Sequence, residues 1–309
     1  MIKKYAKNKI MVTSLSLFLL LMFYFVPSKP EIEMEIIEEN KNQIENIVYL
    51  LDEDNYLSQV ITYVEKDDIQ LLIEDKLNKL IKGEPTLEQF YSLIPKNTKI
   101  NSVEIKENTV YIDFSKEILS INKYIEESML ESIVFSITEI NGIDSIYISV
   151  DGETLKELPN SKKEINYPLT RKYGINKKYD LENFNNISKT TVYFLKEQNN
   201  YEYYVPVTKV SNTKAEKIDI IIQELKSIVN AQDELNSYVS NNVILENYNE
   251  TNEKMDLVFN EYIFNDSNKQ VILEEVQYMI ASSIFENYDV NEVVFNTKNH
   301  RNIITIIKN

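Results

Sequence analysis

The sequence predicts an α+β fold, two tandem βαββα-type modules behind an N-terminal transmembrane helix, and three observations carry that prediction. Short words such as Val110-Tyr111-Ile112-Asp113-Phe114 alternate apolar and polar residues, the period of a strand with one buried face. Between those words run helical stripes with apolar residues at i, i+3 and i+4. The whole arrangement also occurs twice. Val192 and Tyr193 lie 144 positions after Val48 and Tyr49, Phe259 lies 145 after Phe114, and Val293 lies 147 after Ile146. An offset that drifts by so little across a unit reads as internal duplication.

The chain of 309 residues has room for two domains that each bury a core. With 33 basic against 49 acidic residues, net charge -16, it lacks the clustered cations that binding to polyphosphate requires, so no nucleic-acid partner is expected. The absence of Cys removes disulfides, thiolate metal sites, Cys nucleophiles and a lipid-modified Cys together.

Ile10 to Val26 is uncharged and covers about 25 Å as a helix, close to the hydrocarbon thickness of a bilayer. Lys3, Lys4, Lys7 and Lys9 precede it and Glu31, Glu33, Glu35, Glu38 and Glu39 follow, so the positive-inside rule puts 1–9 in the cytoplasm and the rest outside. The alternative is a cleaved signal peptide, for which Val26 and Ser28 between Pro27 and Pro30 make a poor site. The expected organisation is a cytoplasmic 1–9, a single-pass signal anchor at 10–26, an acidic stalk at 27–45, a first module at 46–158, a linker at 159–189 and a diverged second module at 190–309.

In the first module, Asn46 to Leu51 and Tyr56 to Val64 read as strands around the turn Asp52-Glu53-Asp54-Asn55. From Asp68, the stripe Ile69, Leu72, Ile73, Leu77, Leu80 and Ile81 predicts a helix that Gly83 and Pro85 stop. Lys99 to Lys106 and Val110 to Ser115 form a hairpin across Glu107-Asn108. Tyr124 to Ile140 predicts a second one-sided helix, and Ile143 to Val150 a last strand. Pro159 to Lys189 is polar and locally basic at Lys162, Lys163, Arg171, Lys172, Lys177 and Lys178, which reads as a solvated linker; the alternative is that these basic residues meet the acidic surfaces of the modules or an anionic wall polymer. The second module repeats the plan with a helix stripe at Ile218, Ile221, Ile222, Leu225, Ile228 and Val229. Its hairpin, Val243 to Glu246 and Met255 to Phe259, is expected around a long polar turn, Asn247 to Lys254. A helix capped by Asp266 is expected to bury Val271, Ile272, Val276, Met279, Ile280 and Ile284.

The words Val48-Tyr49-Leu50-Leu51-Asp52-Glu53-Asp54, Leu93-Ile94-Pro95-Lys96-Asn97-Thr98, Val110 to Ser115 and Gly142-Ile143-Asp144-Ser145-Ile146 recur in the order found in the GerMN domain family of sporulation and spore germination proteins. The resemblance is strong over 46–158 and weak over 190–300. It implies a compact core similar to the ring-building domains of secretion-system components. It also implies a role in the envelope of a spore-forming bacterium, near a channel-like complex between mother cell and forespore. Members are often lipoproteins attached through a Cys; this chain has none, so its attachment is expected to be the helix itself.

No residue set announces a reaction, and no catalytic, cofactor-binding or metal-binding residue is expected, nor any cofactor. His300 is the only His and sits in a polar run without an acidic neighbour. Asp52 to Asn55 opens like a calcium loop but has Leu57 at the sixth position and Tyr63 at the twelfth, where Gly and Glu belong. Asp113 points away from Ile112 and Phe114 and is expected to be a cross-strand polar partner. Tyr201, Tyr203 and Tyr204 fit either a binding face or half-buried strand positions. The expected function is therefore a non-enzymatic, membrane-anchored assembly component with envelope protein partners, self-association and proximity to peptidoglycan. The alternative is a cell-wall-binding or small-ligand-binding extracytoplasmic protein.

Overall fold

In the computed structural model, the alternating words become strands and the stripes become helices; residues 44–64, 68–83, 89–183, 185–226, 235–251, 253–265 and 271–308 are described. The expected anchor at 10–26 and its flanks up to residue 43 lie outside the described residues, as do Pro85, Ile228, Val229 and Asp266. Among the described residues no helix is long and apolar enough to cross a membrane.

The first module begins with an antiparallel hairpin, β1 (Ile44–Leu51) and β2 (Leu57–Val64), in continuous register from Ile44↔Val64 to Leu51↔Leu57. Asp68 caps α1 (Ile69–Leu80) by accepting the Leu71 amide at 3.1 Å, and the helix buries Leu72, Ile73, Leu77 and Leu80. The second hairpin joins β3 (Ile100–Lys106) to β4 (Thr109–Phe114). Val110, Ile112 and Phe114 are its buried side. α2 (Glu126–Ile137) returns the chain so that β5 (Ser145–Val150) pairs parallel to β4, and β6 (Glu153–Thr154) ends the sheet β3-β4-β5-β6. The expected βαββα core is present, with one further strand before it and two after.

α2 is not the one-sided helix that its spacing predicts. It packs on β1 and on β5, so Glu126, Glu131, Ser132 and Ser136 are buried along with its aliphatic residues. As the middle layer of the module it leaves only Glu127 and Ser128, in its first turn, half-buried. Its serines serve the neighbouring strand: Ser132 Oγ donates to the Tyr49 carbonyl at 2.7 Å, and the Tyr49 amide donates to Ser136 Oγ at 2.9 Å.

The connecting segment differs from a solvated tether. Leu158 at the end of the first module is buried, as are Ile165, Leu169 and Ile175 beyond it, Leu169 bridges to Ile146 on β5, and β7 (Lys178–Asp180) adds a short parallel strand beside the second module. Buried aliphatics without a regular period give no stripe, and the surrounding polar residues mask them.

The second module repeats the plan with β8 (Ser188–Gln198), β9 (Tyr201–Ser211), α3 (Lys217–Lys226), the short β10 (Leu235–Asn236), β11 (Leu245–Glu250), β12 (Lys254–Phe259), α4 (Glu274–Asn287), β13 (Glu292–Thr297) and β14 (Ile304–Ile307). Its two sheets run β10-β8-β9-β7 and β11-β12-β13-β14. The hairpin turn is shorter than expected, because β11 continues through Asn247, Tyr248, Asn249 and Glu250 and the Thr251 amide closes on the Lys254 carbonyl at 2.9 Å. Polar residues suffice there: β11 is an edge strand, and Tyr248 is the residue of that run that packs on the core. α4 begins at Glu274 and leaves Val271 exposed, with Ile272 held before the helix by Gln277 Nε2 donating to its carbonyl at 2.7 Å.

Ile133 in α2 and Ile280 in α4 are equivalent positions 147 residues apart, and both are fully buried. Ile133→Ala and Ile280→Ala are each expected to cost about 2–5 kcal/mol in urea unfolding, against less than about 1 kcal/mol for Leu119→Ala, a side chain that stays 41% exposed. Unequal losses for the two isoleucines would show that the copies do not share one packing scheme.

Candidate functional site at the module interface

Residues Ile44–Asn309 form one compact unit, and its most charged interior lies where the two modules meet. The duplication places equivalent groups on both sides. The Tyr49 amide donates to Ser136 Oγ and the Tyr193 amide to Ser283 Oγ, each at 2.9 Å, so both tyrosines leave the strand in the same way and aim at each other. Their hydroxyls lie 3.5 Å apart. Tyr49 donates to Glu139 Oε2 at 2.9 Å and Tyr193 to Glu286 Oε2 at 3.2 Å.

Arg171 of the connecting segment enters this near-symmetric set. Its Nη1 donates to Glu139 at 2.9 Å, its Nε to Glu286 at 2.8 Å, and its Nη2 to both tyrosine oxygens, at 3.2 Å and 3.0 Å. The guanidinium also stacks over the Phe135 ring at 4.3 Å from the centroid. A planar fork of donors suits two carboxylates and two phenols better than a lysine ammonium would. Burial works against the Arg171 charge, but Glu286 and the tyrosine oxygens outweigh it and hold its pKa above the usual value. The same burial pushes the Tyr49 and Tyr193 hydroxyls well up, so both stay protonated donors.

A second cross-module contact joins equivalent positions. Asp52 and Lys196 lie 144 residues apart in sequence, and their side chains are fully buried against each other at 2.8 Å. Asp52 also accepts from the amides of Asp54 and Tyr56, at 3.0 Å and 2.8 Å, and from the Tyr203 hydroxyl at 3.1 Å. Lys196 reaches Asp54 as well, at 2.5 Å. Desolvation opposes the lysine charge, and the two carboxylates override it, raising its pKa.

Two further links join the modules. Asn176 mimics a peptide group: its Oδ1 accepts the Leu57 amide at 2.9 Å, and its Nδ2 donates to the carbonyls of Leu57 and Pro206, each at 2.8 Å. Tyr278 stacks on Tyr204, ring centroids 4.0 Å apart, and donates to Gln59 Oε1 at 2.9 Å. Burial pushes the Tyr278 hydroxyl up to about 12.

The basic residues of the connecting segment meet module carboxylates. Lys177, nearly buried, pairs with Glu127 at 2.8 Å and Glu131 at 2.6 Å, and its ammonium lies 3.7 Å from the Tyr173 ring centroid. Lys163 also reaches Glu127, at 2.6 Å. Gly174 allows the close approach that follows Arg171: φ is +87, and a Cβ there would stand 3.1 Å from Thr208.

The residues weighed in the sequence are dispersed. Asp113 accepts from Asn101 Nδ2 at 2.9 Å and the Gly152 amide at 2.8 Å on the outer face of the sheet β3-β4-β5-β6. His300 lies in an exposed turn, its amide donating to Thr297 Oγ1 at 3.1 Å and its ring 5.8 Å edge-on from Phe264. Tyr203 is buried on Asp52, Tyr201 lies beside Phe90, and Tyr204 belongs to the interface. Among the described residues no group of three or more His, Cys, Asp or Glu is placed to hold a metal ion. Sequence reasoning missed Glu139, Glu286 and Lys196, and named Arg171 only among basic residues that had module carboxylates as an alternative to solvent. The 144-residue offset that paired Tyr49 with Tyr193 would also have paired Asp52 with Lys196, opposite charges at one repeated position.

The fold and interface define a class: proteins in which two copies of an α+β module close on each other around a shared charged centre. Residues 47–156 match the model of the family described as Germane, sporulation and spore germination. Over 257 residues the chain is 30% identical to the spore germination protein GerM of Bacillus subtilis strain 168, covering 80% of this chain and 69% of that protein. The solved tandem GerMN domains of the sporulation protein GerM from Bacillus subtilis align with a TM-score of 0.76 at 26% identity, covering 86% of this chain and 97% of theirs. The chain belongs to the GerM-like family of sporulation and spore germination proteins.

Removing Lys196 strands a buried carboxylate, so Lys196→Met is expected to cost about 3–5 kcal/mol in urea unfolding, and adding Asp52→Asn to recover part of it. Strictly additive losses would mean that the pair is not coupled. Lys76 gives a pH test. It is buried with Nζ donating to the Ile47 carbonyl, and desolvation pushes its pKa down to about 8 from 10.5, against Glu139 and Asp75. Between those values the unfolded chain binds more protons than the folded one, so stability rises with pH across that window, by about 3 kcal/mol in all. In Lys76→Met that rise should vanish while the rest of the pH profile stays.

Proposed function

We propose that this protein is a membrane-anchored, extracytoplasmic assembly component of a sporulation or germination envelope complex, and that it acts without catalysis. Residues 10–26 hold it in the cell membrane with the N-terminus in the cytoplasm, and the stalk carries both modules on the outer side. The observation that supports this reading is the use made of the interior charges. Arg171, Lys196, Lys177, Asp52, Glu131, Glu139 and Glu286 are each engaged in joining modules and connecting segment. A group held in a buried ion pair is poorly placed to exchange protons with a substrate, and well placed to fix the angle between two modules. What such a body offers to partners is its rigid outer surface.

Deleting residues 46–158 in the native host should abolish recovery of the complex and block sporulation or germination, whereas His300→Ala should change neither. Normal spores from the deletion strain would refute the role, and loss of function in His300→Ala with the protein still folded would point to chemistry instead.

A further inference from the structure

The two modules finish their second sheets differently, and the duplication makes one a control for the other. In the first, the free edge of β5 is covered piecemeal by the two-residue β6 and, further along, by Leu169 bridging to Ile146. Between them the chain turns away through Pro159 and Pro168, and prolines present no N–H to a visiting strand. In the second, the edge of β13 carries an extended run whose ladder reaches from the Ile303 amide on Phe295 to the Lys308 amide on Asn291. That run is Ile303-Ile304-Thr305-Ile306-Ile307, all β-branched, with Ile307 67% exposed, and β14 has no strand on its outer side among the described residues. Proline is absent from it, and so are inward charges and a bulge. Natural edges seldom stay so open unless something pairs there.

Charge indicates what. Arg301 and Lys308 are exposed at the two ends of the run, in a chain of net charge -16. Two β14 strands side by side would therefore bring like charges together. The opposite edge of the same sheet, β11, is Leu245-Glu246-Asn247-Tyr248-Asn249-Glu250, with Glu250 exposed at its far end and Glu246, near its start, paired with Lys298 of the same copy at 2.9 Å. It runs in the same direction as β14, being antiparallel to β12, which is parallel to β13, which is antiparallel to β14. Its start is not covered by α3: an open groove of about 440 Å³ separates Asp219, Ile222 and Lys226 from Ile244 and Leu245.

We propose that β14 of one copy of this chain pairs with β11 of a second copy, continuing the sheet from molecule to molecule. Arg301 then lies near the Glu246 end and Lys308 near Glu250. The inference rests on the assembly reading above and names its surface. Because the two patches differ, a pair leaves one β14 and one β11 unused, and association continues beyond the dimer.

The test is sedimentation equilibrium of residues 44–309, the compact unit, over a wide concentration range. Concentration-dependent association beyond a dimer is expected. Lys308→Glu and Glu250→Lys, both at exposed positions, should each raise the dissociation constant about fivefold to tenfold, since each sets like charges opposite one another. An equimolar mixture of the two variants should associate like the parent, because each edge then meets its complement. Association that ignores both variants, or an unrescued mixture, would overturn this edge while leaving self-assembly in place. A monomer at every concentration would overturn the inference and leave the broader reading to the deletion experiment.

Discussion

The structure depends on one guanidinium. Arg171 is contributed by neither module, yet it bonds to a carboxylate and a phenol from each, so the angle between the copies is set by the fork of its five donors. Without it, Glu139 and Glu286 would face each other across the tyrosine pair with nothing to offset their repulsion. The near two-fold arrangement therefore relies on an asymmetric element placed at its centre. This is the kind of contact that two separate copies of one module could not make for themselves.

Asp52 and Lys196 carry the same lesson at a different place. Equivalent positions meet across the interface, so identical residues there would repel or leave a charge unpaired. In this chain the position carries opposite charges that form a buried pair, and the first module is thereby matched to the second and not to another first. The Asp52 turn, the Tyr203 hydroxyl and the Lys196 ammonium form one network. Residues that look like ordinary turn and strand positions in each module become specific to the pairing.

Most of the fold was legible because it rests on local periodicity. The hairpin at Lys99 to Ser115, the cap at Asp68 and the repeat offsets all follow from short-range rules. The departures have physical causes of another kind. α2 is buried along all but its first turn because it is a middle layer, and Ser132 and Ser136 could be read as solvent positions only while their partner on β1 was unknown. The connecting segment looked solvated because its buried aliphatics Ile165, Leu169 and Ile175 fall at no regular spacing among lysines that serve as ion-pair partners. β11 ran longer than expected because an edge strand needs few apolar residues. The interface itself was half visible: Tyr49 and Tyr193 were paired by the repeat, whereas Arg171 has no counterpart in the other copy and leaves no periodic trace.

The position of Arg171 along the chain also sets which of its partners are available first. Synthesis proceeds from the N-terminus, so the first module and the connecting segment are available before the second module exists. Tyr49, Glu139 and the stacked guanidinium over Phe135 can then form a prepared docking surface, with its charge already in place. The second module has only to bring Tyr193 and Glu286 to it. A chain arranged the other way, with the arginine beyond the second module, would have to bury two opposed carboxylates first and neutralise them afterwards.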